Sequence, residues 1–208
     1  MRFIMTGFFA ALLLATASAD TDAVVFRPVY GPTLEADGVQ ICFHVRVPTD
    51  DLQCALDRLG GALSRFMFDR LPLAVRLEDE NGVRVAVVSL AETETWRQAL
   101  AQYDAAWAAG EEAAFPHLPG QPSWRATFFQ GSTGGELTSR TLRQTFLQPD
   151  TEGPWVDAVR FEYEGSPMTA DWDHVTLSGT FYREDGHCRQ GRSHGAEPML
   201  SDGKETGD

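Results

Sequence analysis

Residues 38–47 (GVQICFHVRV) alternate cleanly, with Val39, Ile41, Phe43, Val45 and Val47 on one side and Gln40, Cys42, His44 and Arg46 on the other. A period of two predicts a half-buried strand. Residues 23–30 (AVVFRPVY) predict a short strand before it, with Pro28 favouring an edge position. Gly31-Pro32 and Asp37-Gly38 are turn dipeptides. Residues 73–90 form the clearest hairpin: LAVRLEDE, then Asn81-Gly82, then VRVAVVSL. Asn-Gly suits the positive φ angles of a type I′ turn.

Two stretches have helical spacing instead. Leu52, Leu56, Leu59, Leu63 and Phe66 form one apolar stripe. Thr49 is placed to cap that helix with Asp50 and Asp51 in its first turn. Gly60-Gly61 weaken its middle and invite a kink, and Pro72 marks the exit. Over residues 94–109, Trp96, Leu100, Tyr103 and Trp107 share a face, and Gly110 is placed to end the helix. This aromatic stripe reads as a core-facing side. Its alternative is a ligand groove built from Trp96, Tyr103, Trp107 and His174. Residues 111–123 contain three prolines and a glycine and predict a loop, the best candidate for a lid.

Residues 124–181 read as one folding unit. A strand-like WRATFFQ leads into GSTGG, a strand-to-helix turn with Ser132 or Thr133 as cap. An amphipathic ELTSRTLRQTFLQ follows, then a break at PDTEGP and a strand in WVDAVRFEYEG. DWDHVTLSGTFY closes the unit, with DWDHVTLSG as the lead-in to a last strand. The expected fold is a single α+β domain, a mixed or antiparallel sheet with about three helices mainly on one face.

Composition adds a compartment. Arg2, an apolar run over residues 3–15 and Ala17-Ser18-Ala19 make a signal peptide cleaved after Ala19, so the expectation is a periplasmic or secreted protein. The division is then a signal peptide at 1–19, the domain at 20–183 and a polar tail at 184–208, disordered except near Cys188. No other segment is long enough to cross a membrane, so no insertion is expected after signal removal. The formal net charge of -13 opposes nucleic acid and anionic lipid as partners. Three cysteines in an oxidising compartment imply one disulfide and one free thiol. Cys42 lies inside an apolar strand, whereas Cys54 and Cys188 fall in polar surroundings, so Cys54–Cys188 is the expected pair.

Chemistry is thinly marked. GSTGG lacks the lysine of a phosphate loop and the spacing of a dinucleotide fingerprint, and Gln130 stands where a nucleophile elbow needs glycine. Asp171, Asp173 and His174 are sequence neighbours whose side chains diverge, and no second His or Cys stands at ligand spacing. Ser132 with His174 and an aspartate is a triad that no spacing selects. Glu78, Asp79 and Glu80 read as a solvated hairpin tip. No catalytic, cofactor-binding or metal residue is therefore assigned, and no cofactor is expected.

FFQGSTGGELTSRTLRQTFLQ, WVDAVRFEYEGSPMTADWDHVTLSG and their order resemble the second half of a sporulation/spore-germination (GerMN-type) domain, over roughly residues 124–181. The matching positions are Gly131 to Gly135, Leu137 to Leu147, then Val156, Val159, Phe161 and Gly165, and the HVTLS run from His174 to Ser178. The resemblance implies a small mixed sheet covered by helices in a non-enzymatic, envelope-associated module, without cofactor or catalytic residues. The leading expectation is an exported binding or assembly module for protein or cell-wall partners. The rival is a periplasmic hydrolase or small-ligand binder using the groove near Trp96, Trp107 and His174.

Overall fold

Parallel strands cannot be joined by a tight turn, and this requirement organises the chain. The structure, a computed structural model, describes residues 23–33, 38–148, 153–170, 172–184 and 187–190. Strands β1 (Val24–Pro32) and β2 (Val39–Pro48) pair as an antiparallel ribbon. Helix α1 (Leu52–Met67) follows, then the hairpin β3 (Leu73–Glu80) and β4 (Val83–Leu90). β4 lies parallel to β5 (Ala158–Tyr163). The crossover this demands holds α2 (Glu94–Ala108), a π-helical turn (Trp124–Phe128) and α3 (Gly131–Phe146). Beyond β5 the sheet continues antiparallel through β7 (Thr180–Glu184) to β8 (His187–Gln190), with β6 (Ser166–Pro167) as a short return on β5. The fold is α+β with a mixed sheet.

The hairpin forms as its turn residues dictate: Asn81 and Gly82 have φ of 58° and 87°. Inward residues of the sheet, Val75, Ala86, Val88, Leu90, Val159, Phe161 and Phe181, share one core with α1 and α3. From α1 come Leu56, Leu59 and Leu63, and from α3 Leu142 and Phe146. Gly60 leaves the helix unbroken. A Cβ there would lie 2.9 Å from Val75, so the glycine brings α1 down onto β3. The β1–β2 ribbon closes over α3. Gln148 donates to the Pro28 carbonyl, the backbone N–H of Tyr30 donates to Thr145, and Arg27 stacks 4.4 Å above the Trp155 ring.

The opposite sheet face is sealed by charge. Arg160 on β5 reaches Glu78 and Glu80 on β3, and Arg76 on β3 reaches Glu162 on β5. Because β4 runs between them, these pairs cross over Val85 and Val87, which are buried with Ala158. Arginine stems cover the apolar strand while their heads stay wet. The Arg76 guanidinium holds the Glu162 carboxyl below the usual carboxylate range, and Arg84 does the same for Asp157. Glu78 and Glu80 are thus tied into the lattice, and Asp79 caps the turn by accepting from the N–H of Gly82.

Several expectations need correction. The α1 cap is Asp51, which accepts from the backbone N–H of Cys54, so Thr49 and Asp50 lie before the helix. Phe66 is 63% exposed and meets Phe43 edge-on rather than the core. β1 runs through Gly31-Pro32, past a register shift at Val29/Tyr30. WRATFFQ is no strand but the π-helical turn and its exit. Ser123 caps it, and its first N–H groups find a side-chain acceptor in place of a neighbouring strand. GSTGG is not a separate turn either: α3 starts at Gly131, Gln130 occupies the cap position, and no side chain caps it. The strand β8 extends the sheet beyond the predicted domain end. The signal-peptide residues and the tail from 191 lie outside the described residues. Among the described residues, no helix is long and apolar enough to cross a membrane.

Candidate functional site

Glu92 follows the end of β4 and is buried at 1% exposure. One carboxylate oxygen accepts from Ser123 Oγ, the backbone N–H of Arg125 and the Tyr163 hydroxyl, each at 2.9 Å. The other accepts from the backbone N–H of Trp124 at 3.2 Å. A buried carboxylate is tolerated only when so surrounded by donors. Its effect is to pin the start of the π-helical turn to the end of the central strands. Burial, and then the adjacent Glu92 charge, push the Tyr163 phenol upward, so the hydroxyl remains a donor.

From this pinned turn Arg125 projects outward. Its Nη1 donates to both oxygens of Asp104 on α2, at 2.9 and 2.8 Å. The guanidinium carbon lies 5.7 Å from the Tyr103 ring centre and 5.6 Å from that of Phe115. Phe115, in the proline-rich loop, meets Tyr103 edge-on, and Trp96 donates its indole N–H to the Gln121 carbonyl. The loop is thereby packed against α2.

Between Arg125 and the segment after β6 lies a cleft of about 460 Å³ with Asp104, Phe115, Phe129, Gln130, Tyr163, Trp172 and Asp173 around it. Trp172 sits perpendicular to both Phe129 (5.4 Å, 79°) and Tyr163 (4.8 Å, 71°). Such edge-to-face contacts fix the indole plane. A second cleft of about 370 Å³ lies over the first turns of α3 and includes Ser132, Thr133, Glu136, Arg140 and His174. A third, of about 420 Å³, lies under the proline-rich loop beside Trp96 and Gln130.

The predicted groove residues are dispersed. Trp96 is buried and borders the third cleft, while His174 borders the second. Tyr103 is half-buried behind Arg125, and Trp107 is 69% exposed at the end of α2. Thus the stripe on α2 is core-facing only through Trp96 and Leu100. Ser132 and His174 do share a cleft, and His174 Nε2 lies 3.2 Å from Asp173. Among the described residues no hydrogen bond joins Ser132 to His174, and Asp171 is outside them. No group of three or more metal-ligating side chains occurs among the described residues. Cys42 and Cys54 are free thiols. Because the Cys54 thiol is free, the expected Cys54–Cys188 disulfide is not formed in this structure; the Cys188 side chain itself lies outside the described residues.

GSTGG has a role that its sequence does not announce. His174 adopts a left-handed φ of 61°, and its carbonyl oxygen would stand 2.7 Å from a Cβ on Gly135. Ser139 then clamps the crossing segment, donating to the Gly135 carbonyl and accepting from the N–H of Thr176. Because the obstructing atoms are backbone, Gly135→Ala is expected to cost about 2 kcal/mol in a urea melt. Gly134→Ala, with Phe128 O at 3.4 Å, should change stability by about 0.5 kcal/mol or less. Equal effects at the two positions would remove this account.

Scans against protein-family models, curated proteins and solved structures each found no match.

Sequence reasoning passed over Glu92, Phe115, Arg125, Phe129 and Tyr163, and weighed Gln130 only against a nucleophile elbow. The one available signal was an acid, Glu92, directly after the apolar VVSLA of a central strand.

Proposed function

We propose that this chain is an exported, non-catalytic cell-envelope protein that binds or assembles with a protein or cell-wall partner. The observation that carries this reading is the open aromatic cleft, whose walls are held rigid from behind by the buried Glu92 cluster. A preformed concave site with an apolar wall and a few polar groups is the ordinary design for binding, and rigidity lowers the entropic cost of association. The signal-like N-terminus and the resemblance of residues 124–181 to GerMN-type domains support the compartment and the module type. They do so by analogy.

The shared cleft of Ser132 and His174, with Asp173 beside the imidazole, is what favours a periplasmic hydrolase as the second reading. A working nucleophile and base need to come within hydrogen-bond reach, so this reading requires the second cleft to rearrange.

Two measurements separate the possibilities. A reporter enzyme active only outside the cytoplasm, fused after Asp20, should report export; silence would refute the compartment. The purified chain should co-sediment with isolated cell-wall material or be retained by envelope protein. Trp172→Ala should abolish that retention, and His174→Ala should leave it intact. Retention lost with His174→Ala and kept with Trp172→Ala would overturn the assignment of the site.

A further inference from the structure

We propose that the cleft bordered by Arg125 and Trp172 takes a neutral saccharide, an inference that rests on the binding-module reading above and gives its ligand a chemical class. Three observations lead there. The first is the Arg125 guanidinium. Its Nη1 is used on Asp104 and its guanidinium carbon lies beside the edge-to-face pair of Tyr103 and Phe115, while Nε and Nη2 take no hydrogen-bond partner among the described residues. A fixed, flat fork with two unused donors matches paired oxygen acceptors on a ligand.

The second is charge. Asp104 offsets Arg125, and Asp173, 88% exposed at its side chain, leaves the cleft net negative on a chain of formal charge -13. That field opposes an anion. A cation fares no better, because Arg125 already lies against the Tyr103 and Phe115 rings that would otherwise receive it. The remaining class is uncharged and rich in oxygen.

The third is the pairing of surfaces. Trp172 borders the cleft with a half-buried indole whose plane is set by Phe129 and Tyr163, and the same cleft holds groups that donate and accept: Arg125 donates, Asp173 accepts, and the exposed Gln130 amide does both. A pyranose ring has the complementary form. Its axial C–H groups make an apolar patch for an aromatic wall, and its equatorial hydroxyls donate and accept around the edge. At about 460 Å³ the cleft is within the size range of small-molecule sites.

The test is isothermal titration calorimetry on the purified full chain with three probes: fully N-acetylated chitotetraose (neutral), tetragalacturonate (a carboxylate on every ring) and choline (a cation). Saturable binding is expected for chitotetraose alone. Trp172→Ala and Arg125→Lys, which keeps the charge and removes the fork, should each weaken it about tenfold. Gln130→Ala, at an exposed position whose side chain makes no cap hydrogen bond to α3, should weaken it about threefold. Trp107→Ala, on the exposed end of α2, should leave it unchanged. Absence of saturable binding, equal affinity in Gln130→Ala and the unaltered chain, or tighter binding of either charged probe would overturn the proposal. Wall retention that persists while chitotetraose fails to bind would sink the saccharide and spare the binding module. Normal titration with a silent export reporter would keep the saccharide site and refute the envelope compartment.

Discussion

Replacing Glu92 by alanine is expected to lower the unfolding free energy by about 4 kcal/mol, a loss in the range seen when a buried, fully partnered charge is removed or its partners are stranded. The variant leaves four donors without their acceptor: the Ser123 and Tyr163 hydroxyls and the N–H groups of Trp124 and Arg125. Water entering the vacated space can satisfy some of these. It cannot tie β4 to the π-helical turn. Glu92→Gln keeps the volume and one carbonyl acceptor but turns an amide N–H₂ toward other donors, so its cost should be about 2 kcal/mol. Urea or guanidinium melts measure both. A Glu92→Ala variant within about 1 kcal/mol of the parent would show that the cluster is not holding the turn.

The second large effect is expected at Trp124. Its indole is fully buried, meets Phe68, Phe128 and Phe129, and donates its N–H to the Pro72 carbonyl at 3.3 Å. Trp124→Ala should cost about 4 kcal/mol, combining lost burial with the cavity left behind. In a chain of this size that corresponds to a fall in Tm of about 10 °C. Trp124→Phe retains most of the apolar volume and removes one hydrogen bond from the Pro72 carbonyl, which keeps the N–H of Ala91, so about 1 kcal/mol is expected. Because Trp124 and Glu92 act on the same turn, the double variant should cost less than the sum. Strict additivity would mean that burial and carboxylate support independent structures.

Local periodicity accounts for much of the architecture. The alternation in GVQICFHVRV, the Asn81-Gly82 turn and the stripe on α1 each became the element they predict, because near neighbours along the chain set those features. WRATFFQ failed for a nonlocal reason. Its aromatic and β-branched residues have strand-like propensity, yet its backbone donors are met by Glu92 and Ser123. Propensity yields when a distant acceptor is already in place.

The candidate site was even less legible. Arg125 is 21 residues from Asp104, while Glu92 is 31 residues from Ser123 and 71 from Tyr163, so no window of sequence shows them as a cluster. Trp96, Trp107 and His174 stood out because aromatic and imidazole side chains are conspicuous in a string. Their partners were set by how α2 and the proline-rich loop pack, and that packing separates them.

By itself, then, the sequence determined the strands and helices whose periodicity is local, the sign of the surface charge and the α+β class. The tertiary structure decided the parallel pairing of β4 with β5, the charge lattice that seals the outer face, and the close crossing at Gly135. It also decided where an aromatic cleft opens. The physical reason is common to all four: each depends on groups far apart in sequence meeting across a packed interior, and hydrophobic periodicity specifies which face is buried without specifying against what.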